Sequence, residues 1–333
     1  MRDPRGQSAK RRRMAVVIVH YRTPDLLIDC IDTVMPEIDS ARDEVVIVDA
    51  ASGEEHVSRI RPLRERPGVT LIEAEKNLGF AGGNNIGLRH VLSGGGGEYV
   101  MLLNPDTLVR PGAFATLREF LDQHPEAAFV GPRLEHLDGT PQLSAFGDQT
   151  PISEFIRGAN IGPITRALNR WEVYGEVRNA PHRTDWLAGA CILMRGDVPQ
   201  RVGLLDERYF MYYEEADYFR QARLLGLNAW YLPTARVVHL VGRSSGIVNE
   251  EKGAKRLPAY WFESRHRYFR KHFGYLGMIA ADAAWLSGHA LNGLRRLATG
   301  VSYSAVARFE TRDLLRHSLR EMTKVRMQGA QTA

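Results

Sequence analysis

The chain predicts a doubly wound α/β fold around a mixed, mostly parallel sheet, on two observations. Val16-Val17-Ile18-Val19 and Val45-Val46-Ile47-Val48 are continuous β-branched runs, each ending at a polar residue, His20 and Asp49. Runs apolar at every position suit strands covered on both faces, as parallel strands under helices are. Between them, Pro24 to Ile38 places Leu27, Cys30, Ile31 and Val34 at helical spacing. Thr23 is expected as the cap of that helix and Pro24 as its first residue. Strand and helix alternating in this way put ligands beyond the carboxyl ends of the strands.

Further elements follow in order. Val69 to Ile72 is expected as a third strand, a glycine-rich segment runs from Asn77 to Gly87, and Asn84 to Val91 begins a helix. Gly94 to Gly97 marks a turn before a fourth strand, Tyr99 to Leu103. Pro111 to His124 reads as a helix and Ala128 to Pro132 as a strand. From Gly139 to Thr184 the chain is rich in Gly, Pro and Asn with weak periodicity, which predicts an irregular insertion able to touch substrate. Regularity returns at Trp186 to Met194, at a helix from Glu215 to Leu225 and at a strand from Ala235 to Leu240. From Lys252 onward the pattern is helical and basic.

Charge divides the chain more sharply than its net +5 suggests. Residues 1–13 carry +5 and residues 252–333 carry +10, so residues 14–251 hold the balancing −10. Basic ends around an acidic body point to an anionic partner surface, and the absence of a nucleic-acid recognition motif turns that expectation toward a membrane face. Cys30 and Cys191 lie far apart and outside any C-x-x-C spacing, which supports neither a disulfide framework nor a zinc site. Met14 to Val19 is too short for a signal peptide, and Tyr275 to Leu294 is interrupted by Asp282, His289 and Asn292. The expectation is a cytoplasmic protein, peripheral at most on the inner face of the cell membrane.

Three places carry candidate chemistry. Asn77-Leu78-Gly79-Phe80-Ala81-Gly82-Gly83-Asn84-Asn85-Ile86-Gly87 reads either as a tight turn or as backbone N–H groups open to a diphosphate. It fails the dinucleotide fingerprint, because His20-Tyr21-Arg22-Thr23 follows the first strand, and the Walker loop, because Leu88-Arg89 follows Gly87. Asn104-Pro105-Asp106 follows a buried strand, where an aspartate is placed to hold a divalent cation. Tyr209 to Asp217 interleaves Glu214, Glu215 and Asp217 with aromatics, and His239 ends an apolar strand as either a structural residue or a ligand.

Together, Val45 to Ser52, Asn77 to Gly87, Leu103 to Thr107, Gly131 to Leu134, Trp186 to Cys191, and Tyr209 to Asp217 followed by His239 closely resemble family 2 glycosyltransferases. Within that family they look most like a bacterial rhamnosyltransferase branch. The resemblance covers about Val16 to Phe273 and implies a GT-A fold over residues 14–251, after a basic flexible tail (1–13) and before a helical region (252–333). It implies that Asp49 contacts the nucleoside and that Asn77, Gly82, Gly83, Asn84 and Asn104 line the donor pocket. Trp186, Gly189 and Ala190 are placed by it near sugar and acceptor, with a core tryptophan as the other reading of Trp186. Asp106 and His239 take the positions that hold Mg2+ or Mn2+. Glu215 stands where the family carries the aspartate base of a Glu-Asp pair, with Asp217 as the other candidate. Ala50 and His20 depart from the asparagines usual at their positions.

The function so implied is inverting, metal-dependent transfer of a sugar, rhamnose from dTDP-rhamnose first, onto a cell-surface polysaccharide or lipid-linked glycan. A UDP- or GDP-hexose donor, or a non-catalytic sugar-nucleotide-binding scaffold, are the alternatives. Arg308, Arg312, Arg316, Arg320 and Lys324 recur every four residues, with Leu315, Leu319 and Met322 on another side. That pattern suits either a helix on an anionic membrane surface or a solvated helix packed on the body.

Overall fold

The computed structural model describes residues 12–240, 256–300, 307 and 309–331. The first half runs β1 (Arg12–His20), α1 (Pro24–Val34), β2 (Glu44–Asp49), α2 (Glu54–Ile60), β3 (Val69–Glu73), α3 (Gly79–Ser93) and β4 (Gly97–Leu103). It continues through β5 (Thr107–Val109), α4 (Ala113–Gln123), β6 (Ala127–Glu135), β7 (Ala145–Phe146), α5 (Pro151–Ala159), α6 (Gly162–Ala167), β8 (His182–Thr184) and β9 (Trp186–Leu187). The last elements are β10 (Cys191–Arg195), α7 (Val198–Val202), α8 (Glu214–Leu224), β11 (Asn228–His239), α9 (Ala259–Thr299) and α10 (Glu310–Gln331).

The main sheet has the order β3-β2-β1-β4-β10-β6-β11-β5, with β8 paired to β11. β3, β2, β1 and β4 are parallel, as are β6 and β11. β10 enters antiparallel between β4 and β6. This is the α/β class that the apolar runs predict. Met14, Val16, Ile18, Val45 and Ile47 fill the core on one face of the sheet, and Ala15, Val17, Val46 and Val48 fill it on the other. Strands with no solvated face cannot alternate polar and apolar residues, which is why they read as continuous runs.

Several local expectations change. Thr23 does not cap α1 through its side chain; its backbone N–H instead donates to Nε2 of His20 at 3.1 Å. α3 begins at Gly79 and not at Asn84, so the glycine-rich segment is helical. Helix propensity argues against glycine there, but packing decides: a Cβ on Gly83 would lie 2.7 Å from Cγ1 of Val19, and one on Gly87 would overlap Val17. The glycines let α3 lie close on β1. The insertion is less irregular than expected, since α5 starts at a capping box in which Thr150 and Ser153 satisfy each other's backbone N–H groups.

α5 is also the seat of the C-terminal helices. Arg265 on α9 is fully buried and donates to Glu154 of α5 at 3.0 and 3.1 Å, and it also pairs with Asp282. Arg157 of α5 bridges to Glu310 of α10 at 2.5 Å. Leu314 is the buried apolar contact of α10, whereas Leu315 and Leu319 are exposed. Of the expected basic stripe, Arg312, Arg316 and Arg320 are exposed; Arg308 and the side chains of Met322 and Lys324 lie outside the described residues, as do residues 1–11 of the basic tail, whose last two residues, Arg12 and Arg13, open β1 in place of a flexible segment. Among the described residues, no helix is long and apolar enough to cross a membrane.

Candidate active site

The parallel register brings the polar ends of β1, β2 and β4 to one edge of the sheet, with His20 opposite Asp49. Because β10 runs the other way, Cys191 faces Leu103 and the preceding Gly189-Ala190 arrive at that same edge. β11, parallel to β6, ends there at His239. The candidate residues separated along the chain therefore converge.

Asp49 is buried at this edge. Its Oδ1 accepts from Nδ1 of His20 at 2.8 Å and its Oδ2 from the Ser52 N–H at 3.1 Å. Since His20 Nε2 accepts from Thr23, the ring proton sits on Nδ1, directed at the carboxylate. Burial alone would raise Asp49, but the hydrogen bonds from His20 and Ser52 outweigh it and hold the group below its ordinary value. A fixed carboxylate results, oriented by the histidine that stands where asparagine is usual.

Asp106 follows β4 and leads into β5, which pairs antiparallel with β11 so that His239 faces Thr107. Leu240 N–H donates to the Asp106 carbonyl at 2.9 Å, closing that end of the ladder. The pairing sets His239 Nε2 3.7 Å from Oδ1 of Asp106. That is too long for a hydrogen bond, yet two ligand atoms each about 2.1 Å from one cation lie roughly 3–4 Å apart. Burial, reinforced by nearby His136, outweighs the pull of Asp106 and lowers His239, favouring the neutral imidazole that ligates metals. Gln142 steadies the pair from behind, donating to the His239 carbonyl at 2.7 Å. Among the described residues no group of three or more His, Cys, Asp or Glu side chains gathers to hold an ion. A carboxylate and an imidazole thus suit a cation that takes its other ligands from diphosphate and water. Cys30 Sγ lies 3.5 Å from Thr107 Oγ1, but burial pushes its thiol up to about 12, so it stays a protonated packing group.

Glu214 and Glu215 open α8 behind two residues in the left-handed region, Tyr212 (φ 70°) and Tyr213 (φ 67°). Such backbone costs about 1–3 kcal/mol per residue and persists where the surroundings enforce it. Here the enforcement comes from α3: Phe80 N–H donates to the Phe210 carbonyl at 2.9 Å, and Gly79, at φ 71°, has no room for a Cβ beneath that carbonyl. Glu214 is buried and Glu215 partly open. Burial and the neighbouring Glu215 charge raise Glu214 well above the ordinary carboxylate range. Burial raises Glu215 too, opposed by hydrogen bonds from the Gly189 N–H and from Glu214. Glu214, raised the more strongly of the two, is therefore the carboxyl that holds a proton first, and Glu215 the better placed to accept one. Glycine at 189 leaves room for this approach: a Cβ there would push on Oε1 of Glu215 and on the tip of Phe80, 2.9 Å away. The adjacent Ala190 carbonyl accepts from Asn104 N–H at 2.9 Å, joining the base side to the Asp106 side through three residues.

Other expected site residues do structural work. Asp217 is 1% exposed and accepts from His272 at 2.6 Å, from Lys271 at 2.8 Å and from Gln221 at 2.7 Å. Its oxygens are taken up in docking α9, and it is not beside Gly189. Asp217→Ala is expected to cost about 3–5 kcal/mol, since it strands the donors of His272, Lys271 and Gln221 beside a buried gap; chemical denaturation reads this directly. Asn84 donates to the Phe80 carbonyl within its own helix at 2.9 Å, and Asn77 caps the Gly79 N–H at 2.9 Å. The first donors of α3 are thus partly consumed. Trp186 stacks on Phe146 at 4.1 Å and donates to the Gly147 carbonyl at 2.7 Å. Asn85, unsuspected in sequence, is buried and exchanges hydrogen bonds with Leu205, fixing the approach to the Tyr209 turn. His136 and Gln142 were likewise missed, because single polar residues after a strand carry no distinctive spacing.

A mixed sheet of this order with a ligand edge at the strand ends defines the GT-A class. Solved structures of that class share it. A mannosyltransferase from Pyrobaculum calidifontis, in complex with GDP-Man and Mn2+, is 16% identical, covers 96% of this chain and 81% of its own, and superposes with a TM-score of 0.54. GalNAc-T7 with UDP, GalNAc and Mn2+ is 14% identical, with coverages of 93% and 55% and a TM-score of 0.58. Residues 15–165 match the family described as Glycosyl transferase family 2. It is 32% identical over 193 residues to the N-acetylglucosaminyl-diphospho-decaprenol L-rhamnosyltransferase of Mycobacterium tuberculosis, across 54% of this chain and 61% of that one. It is 25% identical over 228 residues to the low-salt glycan biosynthesis hexosyltransferase Agl10 of Haloferax volcanii, with coverages of 68% and 66%. The chain thus spans about three fifths of the length of the rhamnosyltransferase it matches.

Proposed function

We propose that the protein is an inverting, cation-dependent glycosyltransferase that moves a sugar, rhamnose from dTDP-rhamnose first, onto a lipid-linked or cell-surface glycan. The observation that carries this is the edge at which Asp106 and His239 stand 3.7 Å apart while Asn104, Ala190 and Gly189 connect them to Glu215. Rhamnose and a lipid-linked acceptor are favoured by the rhamnosyltransferase relative.

Asp106 and His239 would hold Mg2+ or Mn2+, which when bound neutralises charge on the departing nucleoside diphosphate. Asp49 orients the nucleoside through its fixed carboxylate. Glu215 takes the acceptor hydroxyl proton, and that oxygen forms its bond to the anomeric carbon as the bond to the diphosphate breaks, with inversion. The Gly189 N–H and the Glu214 carboxyl aim Glu215, which its extra methylene over aspartate would otherwise leave less constrained. Trp186, Gly189 and Ala190 form the wall nearest sugar and acceptor. Leu315 and Leu319, exposed on α10 with its arginines, favour peripheral contact with an anionic membrane.

The test is turnover across dTDP-rhamnose, UDP-sugars and GDP-sugars with Mn2+ or Mg2+. Turnover of one donor class, abolished by chelation, is the expected result; binding of a donor without turnover points to the scaffold reading instead.

The Glu214–Glu215 pair also predicts pH behaviour. The folded-state pKa of Glu214 lies above its unfolded value of about 4.3, so its favourable contribution is complete below that value and is lost as pH rises through the raised one. Glu214→Gln removes this loss. The stability of the variant relative to wild type is expected to rise as pH climbs from about 4 through the raised Glu214 value, measured by denaturant midpoints.

A further inference from the structure

A basic cavity lies between the start of α9 and the middle of α10, with a volume of about 430 Å³. Arg256, Ala259, Asp313, Arg316, His317 and Arg320 are among its lining residues. Asp313 is committed to Arg256, accepting from its Nε at 2.6 Å and its Nη2 at 2.7 Å. His317 lies flat on Phe262, with ring centroids 5.1 Å apart. Arg316 and Arg320 stand one helical turn apart on α10; Asp313 attracts Arg316 but is bonded to Arg256, and among the described residues neither arginine forms a direct salt bridge. Like charges so spaced repel, and an anion between them reverses that penalty. Guanidinium groups match the oxygen spacing of a phosphate in two-point contacts. The first turn of α9, which no side chain caps, directs further N–H groups to the same space.

The start of α9 links the cavity to the turn before the candidate base. Tyr260, next to Ala259, packs on Phe210 with ring centroids 5.5 Å apart and on Tyr212 at 6.1 Å, in the turn that presents Glu214 and Glu215. We propose that this cavity binds a phosphate group of the acceptor, held by Arg316 and Arg320 with Arg256 at its rim. The acceptor part rests on the transferase reading above; phosphate binding does not.

Two arms separate those claims. Calorimetric titration of the full chain with inorganic phosphate, without divalent cations, is expected to show saturable binding that Arg316→Gln/Arg320→Gln weakens about tenfold or more. Asp106→Ala is expected to bind phosphate as wild type does. No binding by wild type, or equal binding by the double variant, overturns the site. In the kinetic arm, the double variant is expected to raise KM for a diphosphate-linked acceptor about tenfold or more while KM for a phosphate-free glycoside acceptor stays put. An equal rise for both acceptors overturns the acceptor assignment, as does binding to phosphatidylglycerol vesicles without binding to inorganic phosphate. Absence of turnover with every donor refutes the transferase reading and leaves the phosphate titration to be judged alone.

Discussion

Asp106→Ala is expected to remove cation-dependent donor turnover, lowering kcat/KM by about 10³-fold or more, since a cation supplies several kcal/mol of stabilisation to developing charge. The fold should survive. The Asp106 backbone, whose carbonyl accepts from Leu240, keeps the β5–β11 ladder closed whatever its side chain. His239→Ala should act in the same direction but less severely, because water can replace one neutral ligand more readily than one charged one. Steady-state kinetics at saturating Mn2+ with circular dichroism on the same samples separates loss of chemistry from loss of structure.

Glu215→Gln is expected to lower kcat by about 10²–10⁴-fold, the span of general-base assistance, with donor affinity nearly unchanged. The amide preserves size and removes the acceptor of the proton. Because burial raises Glu215, the acidic limb of the wild-type kcat/KM profile should fall above the ordinary carboxylate range, as the base is protonated when pH drops through the raised value. A profile flat down to about pH 4 would remove Glu215 from the role.

Much of the fold was legible, and the reason is burial. β1, β2 and β4 are covered on both faces, so every residue of their runs is apolar and the strands stand out. α3 was misread at its start because glycine disfavours helix in isolation; the close approach of Gly83 and Gly87 to β1 is visible only once the strand is in place. α5 was hidden because it is a short helix inside a stretch rich in Gly, Pro and Asn, although it is amphipathic and opens at the Thr150 cap. The family resemblance, carried by widely spaced segments, is matched by the family and the relatives found.

For the site, residue types were legible and partners were not. The sequence offered Glu214, Glu215 and Asp217 within four positions and could not divide them. Packing does: the backbone turn at Tyr212-Tyr213 sends Glu215 to Gly189, while α9 claims Asp217 through Lys271 and His272. The approach of His239 to Asp106 depends on an antiparallel pairing between segments more than a hundred residues apart, which no local pattern encodes.

Mn2+ binding followed by electron paramagnetic resonance, with and without a nucleoside diphosphate, tests the central assignment without requiring the right donor or acceptor. One ion per chain, bound only when the nucleotide is present, retained in Glu215→Gln and lost in Asp106→Ala, is the predicted result. Nucleotide-dependent Mn2+ binding that persists unchanged in Asp106→Ala would contradict it.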